Sequence, residues 1–145
     1  MTNMSKKLSL VLLMSLFLFG SAFAAENAAH KKLVIQVSTD DPRTQKIALN
    51  NAVNIQKLYG IDNVTVEIVA YGPGIGLLTK KNAQADRVAS LAMQDITFSA
   101  CMNTMKKIEK KKGKMPALTD GVQTVTAGVA RIMELQEDGY SYIRP

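Results

Sequence analysis

The amino-acid sequence predicts an α/β protein whose mostly parallel sheet has about five strands and is covered by helices on both faces. Two observations carry this prediction. Strand-like and helix-like segments alternate along the chain with short links, which is the pattern of right-handed βαβ units. The first two strands are apolar almost without interruption, as expected of strands that are buried on both sides. No internal repeat, long linker or domain boundary interrupts the pattern.

The first elements have clear boundaries in the sequence. Leu33–Val37 is a short apolar run that predicts a strand. Asp41 is a suitable N-cap, and Pro42 suits the first position of a helix. Apolar residues then recur at helical spacing until Gly60 ends the helix. Val64–Ala70 is rich in β-branched residues and predicts the second strand.

The rest of the chain continues the alternation. Val129, Ile132, Met133 and Gln136 recur at helical spacing and mark a fourth helix, which Gly139 ends. The other predicted elements are a glycine-rich turn over 71–76, a helix over 82–94, a strand over 96–100, a helix over about 102–111, a strand over 122–125 and a last strand over 140–143.

The N-terminus has the layout of a secretory signal peptide. Lys6 and Lys7 precede an apolar run over 8–19, and small residues then allow cleavage after Ala24. An apolar core of about a dozen residues is too short for the roughly 20 that a membrane span needs, which favours cleavage over a permanent anchor. We therefore expect a leader over 1–24 and one domain over 25–145, periplasmic or secreted, with no membrane attachment after cleavage.

Cys101 is the only cysteine in the chain, and it lies where the third strand meets the third helix. The positive end of a helix dipole lowers the pKa of a thiol and makes it a better nucleophile. The free backbone N–H groups of Met102, Asn103 and Thr104 are expected to stabilise the thiolate. A thiol open to reagents at this position could carry sulfur as a persulfide. The alternative is a small apolar side chain packed in the core.

Three segments are expected to meet at one edge of the sheet, because ligands of such sheets bind beyond the carboxyl ends of the strands. These segments are 38–41, 71–76 and 101–104. Tyr71 and Gly72 are expected to shape a pocket there. The backbone amides of the turn around Gly74 could cradle an anion, although a tight turn passing close to this edge is the alternative.

Several chemistries lack the residues that they require. His30 is the only histidine, and it lies in a polar segment ahead of the first strand, so neither a Cys–His protease nor a zinc site is expected. Asp40 and Asp41 resemble a carboxylate pair, but a helix cap explains Asp41 better. We expect no cofactor and no metal.

The chain carries a formal charge of +6, and much of the excess comes from lysines between residues 106 and 114. Export and the absence of interleaved aromatic residues argue against nucleic acid as a partner. A solvated helix face is the simplest explanation of this basic run, and attraction of an anion toward the thiol is a second one.

Together, several segments resemble the DsrE/DsrF-like family, in particular a small exported branch of it. The matching stretches are 37–42, 48–52, 66–74, 98–105 and 127–145. The resemblance implies a three-layer α/β/α domain that assembles into homo-oligomers, either trimers or hexamers. It also implies a role in sulfur relay, in which Cys101 corresponds to the cysteine that accepts and passes on sulfane sulfur.

The leading hypothesis is therefore an exported sulfurtransferase-type carrier that holds a persulfide on Cys101, with an unidentified sulfur donor and acceptor thiol. The second hypothesis is a non-catalytic oligomeric binding or scaffold protein in which Cys101 is structural. A third is an anion sensor that uses the glycine turn and the lysine run.

Overall fold

The computed structural model describes residues 30–145, so the predicted leader lies outside the described part of the chain. Its strands are β1 (Lys31–Val37), β2 (Val64–Ala70), β3 (Ile96–Cys101), β4 (Val122–Val125) and β5 (Ser141–Ile143). Its α-helices are α1 (Pro42–Tyr59), α2 (Ala85–Ala92), α3 (Met102–Lys112) and α4 (Gly128–Glu137). Two 3-10 segments, Ile61–Asn63 and Gly72–Leu78, precede and follow β2.

The strands form one sheet in the order β4-β3-β2-β1-β5, and all four pairings are parallel. The two most apolar strands, β1 and β2, lie inside the sheet, where both of their faces are covered. All the carboxyl ends of the strands lie at one edge, as the βαβ pattern predicts.

The larger core lies on the side of the sheet that faces α1. Ile35, Ile68 and Phe98 are neighbours across β1, β2 and β3, and all three are fully buried. They pack in one cluster with Ala48 and Leu49 of α1, and α2 and α3 add apolar side chains to the same cluster. Burial of apolar surface in this cluster is the main source of stability.

The opposite side of the sheet is covered by α4. Val34 and Val69 pack there against Ile132 and Leu135 of this helix. Helices therefore lie on both faces of a parallel sheet, and the predicted three-layer α/β/α class is confirmed. Between residues 30 and 145, no helix has both the length and the apolar character needed to cross a bilayer.

Helix α1 has the boundaries that the sequence predicts. The Asp41 carboxylate accepts a hydrogen bond of 2.7 Å from the Thr44 backbone N–H. The Thr44 side chain and this backbone N–H together lower the pKa of Asp41. Asp41 is therefore a cap rather than half of a catalytic pair. At the other end, Gly60 has φ +85°, a conformation that glycine adopts without strain.

Two segments, 82–94 and 71–76, differ most from the prediction. Helix α2 is shorter than 82–94, because the Asn82 side chain accepts a hydrogen bond from the Gln84 N–H and forms a turn ahead of the helix. The predicted turn over 71–76 is part of the longer 3-10 segment. The predicted fourth helix is present as α4, in which Gly128, Ile132 and Leu135 are buried and Val129 and Met133 are exposed.

Candidate functional site

The ends of β1, β2 and β3 meet at the carboxyl edge of the sheet, as predicted. The Tyr71 N–H, just after β2, donates to the Val37 carbonyl oxygen at 3.2 Å. The Gly72 N–H donates to the Thr104 hydroxyl oxygen at 2.9 Å. These bonds join the segment after β2 to the end of β1 and to the first turn of α3.

Gly74 makes the closest backbone approach at this edge. A Cβ atom at this position would lie 2.1 Å from the Val37 carbonyl oxygen, which no side chain can tolerate. The glycine therefore allows the 3-10 segment to pack directly on the end of β1. Gly74 thus lies at the predicted edge of the sheet. Its role in the structure is to allow the backbone of the 3-10 segment to pack against the Val37 carbonyl group.

Cys101 is the last residue of β3 and the N-cap of α3, which is the position that the sequence predicts. It lies on the α4 side of the sheet, next to Tyr71 and Gly128. A Cβ atom on Gly128 would be 3.3 Å from the Cys101 Cβ and 3.1 Å from the Tyr71 Cβ. A side chain at position 128 would crowd Cys101 and Tyr71, so the glycine at the start of α4 favours this close contact.

The Cys101 side chain is only 5% exposed. The expectation of a thiol open to reagents is therefore wrong for the single chain. The cause is tertiary packing, since the start of α4 lies against Cys101 and Tyr71. The sulfur nevertheless lies at the carboxyl edge of the sheet, beside the segments expected to form the site.

The surroundings of the thiol act on its pKa in opposite directions. Burial raises the pKa of Cys101, because it disfavours the charged thiolate. The backbone N–H groups of Gly128, Thr104 and Asn103, together with the Thr104 hydroxyl, lower the pKa, and they outweigh the effect of burial. The net result is a thiol pKa below its ordinary value, as the position at a helix N-terminus predicts.

The donors around the sulfur differ in part from the predicted set. Thr104 contributes through both its backbone and its side chain. The Asn103 N–H also donates to the Thr126 carbonyl oxygen at 3.3 Å, and Met102 does not act on the thiol pKa. Gly128 was not predicted, because it is distant in sequence and only the fold brings the start of α4 to Cys101. The N-termini of α3 and α4 therefore converge on one sulfur atom.

A buried charged network lies below Cys101 on the same side of the sheet. The Glu67 carboxylate of β2 accepts two hydrogen bonds from the Arg131 guanidinium of α4, at 2.9 and 2.8 Å, and one from the Ser99 hydroxyl at 2.7 Å. Gln123 of β4 donates to the Ser99 hydroxyl oxygen at 3.0 Å. The bonds to Glu67 raise the pKa of Arg131.

The amino-acid sequence alone does not predict this network. The one signal was Glu67 itself, a charged residue in the otherwise apolar strand Val64–Ala70. A buried carboxylate requires a partner, but nothing in the sequence shows that the partner is Arg131. The network anchors α4 to the sheet and thereby positions Gly128 beside Cys101.

Other candidate ligands lie away from this edge or do not cluster. The His30 Nε2 atom is 2.7 Å from the Thr65 hydroxyl oxygen, near the amino ends of β1 and β2 and thus at the opposite edge from Cys101. Among residues 30–145, no group of three or more His, Cys, Asp or Glu side chains could hold a metal ion.

Comparisons with known proteins agree with this architecture. The DsrE/DsrF-like family model matches residues 31–145. The chain belongs to the DsrE/DsrF-like family. The solved structure of MTH1491, a protein of unknown function from Methanobacterium thermoautotrophicum, is 30% identical and superimposes with a TM-score of 0.71. The match covers 79% of this chain and 99% of that chain. No curated protein matches the chain.

The family match covers every strand and every helix described above, and it leaves residues 1–30 outside. The DsrE/DsrF-like domain is therefore the whole folded unit between β1 and β5. Cys101 lies within the match, at the carboxyl edge of the family's sheet.

Proposed function

We propose that this DsrE/DsrF-like protein carries sulfane sulfur as a persulfide on Cys101. The observation that carries the proposal is the lowered pKa of a buried thiol at which the N-termini of two helices meet. A cysteine that is only a packed apolar side chain has no need for amide groups that favour its anion. The family's association with sulfur relay supports the same reading.

The transfer is a thiolate substitution at sulfur. The Cys101 thiolate attacks the sulfane sulfur of a donor such as thiosulfate, a new S–S bond forms, and the donor's S–S bond breaks to release sulfite with the electron pair of that bond. The product is a Cys101 persulfide. An acceptor thiolate then attacks the terminal sulfur, forms its own persulfide and restores the Cys101 thiolate, so no external oxidant or reductant is consumed.

Intact-mass measurement tests the carrier function. The purified protein is incubated with thiosulfate or polysulfide and weighed, with and without later treatment with a thiol reductant. We expect a gain of one sulfur atom that the reductant removes. The Cys101→Ser variant, which has no thiol, should gain nothing. The same chain unfolded in denaturant serves as the reference for an ordinary exposed thiol. Absence of any Cys101-dependent gain in the folded protein would rule out the carrier.

A second candidate is a non-catalytic oligomeric scaffold in which Cys101 is structural. The 5% exposure of Cys101 favours it. This candidate predicts that folded Cys101 neither gains sulfur nor reacts with small alkylating reagents on the time scale of the unfolded control. The two candidates therefore differ in one measurement, the reactivity of the folded thiol.

Export to the periplasm or outside the cell is part of the proposal, with cleavage after Ala24. Its support is the leader-like composition of residues 1–24 and the start of the family match at residue 31. N-terminal sequencing of the protein from fractionated cells tests it. A mature N-terminus at Ala25 in the exported fraction is expected, and an intact leader on protein retained inside the cell would contradict it.

We also propose self-association through the outer surface of α4. Val129 and Met133 lie one helical turn apart and are 54% and 58% exposed. An exposed apolar patch can mark a protein–protein interaction site, and these two side chains would form the centre of such a patch on α4. A trimer or hexamer would bury them.

A further inference from the structure

A groove of about 620 Å³ runs between the 3-10 segment Gly72–Leu78, helix α3 and the loop after α3. This volume is within the range of roughly 300–1,000 Å³ that is typical of small-molecule sites. Cys101 does not line the groove, although Thr104 and Gly72 do. The groove is therefore a separate feature beside the thiol site.

The far wall of the groove is held by backbone bonds. Gly113, with φ +75°, ends α3 and lets the chain turn back. The Lys80 N–H then donates to the Ala117 carbonyl oxygen at 3.0 Å, and the Thr119 N–H donates to the Leu78 carbonyl oxygen at 2.9 Å. The loop over 114–117 is thus tied to the end of the 3-10 segment, and the groove has a defined shape.

The lining of the groove combines two kinds of side chain. Its apolar part includes Pro73, Ile75, Ile108 and Met115. The lysines that line it are Lys81, Lys107, Lys111, Lys112 and Lys114. Within the described residues 30–145, no acidic and no aromatic side chain lines the groove. Five cations without a counter-charge beside an apolar surface are complementary to an anion that has an apolar body.

We propose that this groove binds a free amphipathic anion, namely an aliphatic carboxylate whose chain lies on the apolar lining and whose head meets the lysines. An inorganic anion would leave the apolar lining unused, and a neutral apolar ligand would leave the lysines unpaired. Single-stranded nucleic acid would lack the aromatic stacking platforms that it usually uses. The proposal does not depend on sulfur transfer, so either can fail alone.

Calorimetric titration of the purified protein tests the ligand class. The ligands are decanoate, dodecanoate, acetate and decyltrimethylammonium, each below the concentration at which it forms micelles. Decanoate is expected to bind, and each added methylene should tighten binding about twofold, below the roughly fourfold of full burial because the groove is open. Acetate and decyltrimethylammonium should not bind measurably. Equal binding of acetate and decanoate, or of the cation and the anion, would overturn the proposal.

Two paired-lysine variants of the same helix test the site. Lys107→Gln/Lys111→Gln removes two lining charges, whereas Lys106→Gln/Lys110→Gln removes two exposed charges of α3 that do not line the groove. Gln retains helix propensity, so both variants should fold. We expect about fivefold weaker decanoate binding for the first pair, as for two exposed ion pairs, and no change for the second. Equal losses would show unspecific charge attraction and refute the site.

Sedimentation with lipid vesicles distinguishes binding of a free ligand from binding to a membrane surface. The same two variants are sedimented with vesicles that contain anionic lipid. If the protein binds these vesicles through Lys107 and Lys111 but does not bind free decanoate, the groove is a membrane contact and the proposal is wrong. Binding of decanoate with the stated lysine dependence supports it.

Discussion

At the scale of single residues, the thiol of Cys101 takes its character from groups that are far apart in the chain. Thr104 follows it in the first turn of α3, whereas Gly128 begins another helix. Burial and these donors act in opposite directions on its pKa, and the donors prevail. The pKa of this thiol therefore depends on the fold and not only on its neighbours in sequence.

The first prediction concerns the reactivity of Cys101. The rate of alkylation by iodoacetamide should follow the thiolate fraction and show a midpoint below the roughly 8.5 of a free thiol. The unfolded chain in denaturant should show the ordinary midpoint. A midpoint in the folded protein at or above the unfolded value would mean that burial prevails over the amide groups.

The same pKa shift predicts how stability depends on pH. Because the folded pKa of Cys101 is lower than the unfolded pKa, the folded state releases the proton first as pH rises. Between the two pKa values the unfolded chain holds more protons, so the free energy of unfolding increases with pH. This contribution is present above the unfolded pKa and is lost as pH falls through the folded pKa. The free energies of unfolding of wild type and Cys101→Ser, measured by denaturant titration at several pH values, should diverge over this window. Parallel dependences on pH would contradict the lowered pKa of Cys101.

The next prediction concerns the close approach at Gly74. Gly74→Ala should lower the free energy of unfolding by about 3 kcal/mol, because a methyl group would overlap the Val37 carbonyl. Gly76→Ala is the matched control in the same segment, since nothing lies within 4 Å of a Cβ atom there. The control should change stability by no more than about 0.5 kcal/mol. Urea unfolding measures both, and equal effects would show that the contact is unimportant.

At the scale of elements, α4 is held to the sheet by its apolar stripe and by the Glu67–Arg131 pair. Arg131→Met should lower the free energy of unfolding by about 3 kcal/mol, because it leaves the Glu67 carboxylate buried without its cation. The double variant Glu67→Leu/Arg131→Met removes both charges and should be more stable than the single variant. With the single variant Glu67→Leu measured as well, the three changes in unfolding free energy give the coupling energy, and a coupling energy near zero would show that the pair is not coupled.

Local signals explain which elements the sequence could predict. The limits of α1, β2 and β4 follow from a cap, a stop glycine and β-branched runs, and the structure has the same limits. The exposed face of α4 and the burial of Cys101 depend on which helix packs on which side of the sheet. No spacing within a single element contains that information, which is why the donor at Gly128 and the partner of Glu67 were missed.

At the scale of the whole molecule, the two faces of the sheet are unequally covered. Among residues 30–145, helices α1, α2 and α3 contribute to the core on one side, whereas α4 is the helix that packs on the other. The α4 side also keeps polar groups, such as the Tyr142 hydroxyl, which donates to the Gln36 side-chain oxygen at 2.6 Å. This lighter covering is consistent with a surface completed by further copies of the chain.

Substitutions on the outer surface of α4 test the proposed self-association. Met133→Glu should reduce the mass of the particle in solution, because it places a charge in the proposed interface. Met93→Glu is the control, as Met93 is 82% exposed just after α2 and away from α4. Light scattering coupled to size-exclusion chromatography measures the mass. A monomeric wild type, or equal effects of both variants, would rule out association through α4.

The packing of Tyr71 and the start of α4 against Cys101 has a consequence for any cargo held there. A persulfide in open solution is lost to the first small thiol that it meets. Behind this ring and helix end, the outer sulfur of a Cys101 persulfide would react with small thiols more slowly than it would on the unfolded chain. Comparing the lifetime of the persulfide in a solution of free thiol before and after partial unfolding would measure that protection.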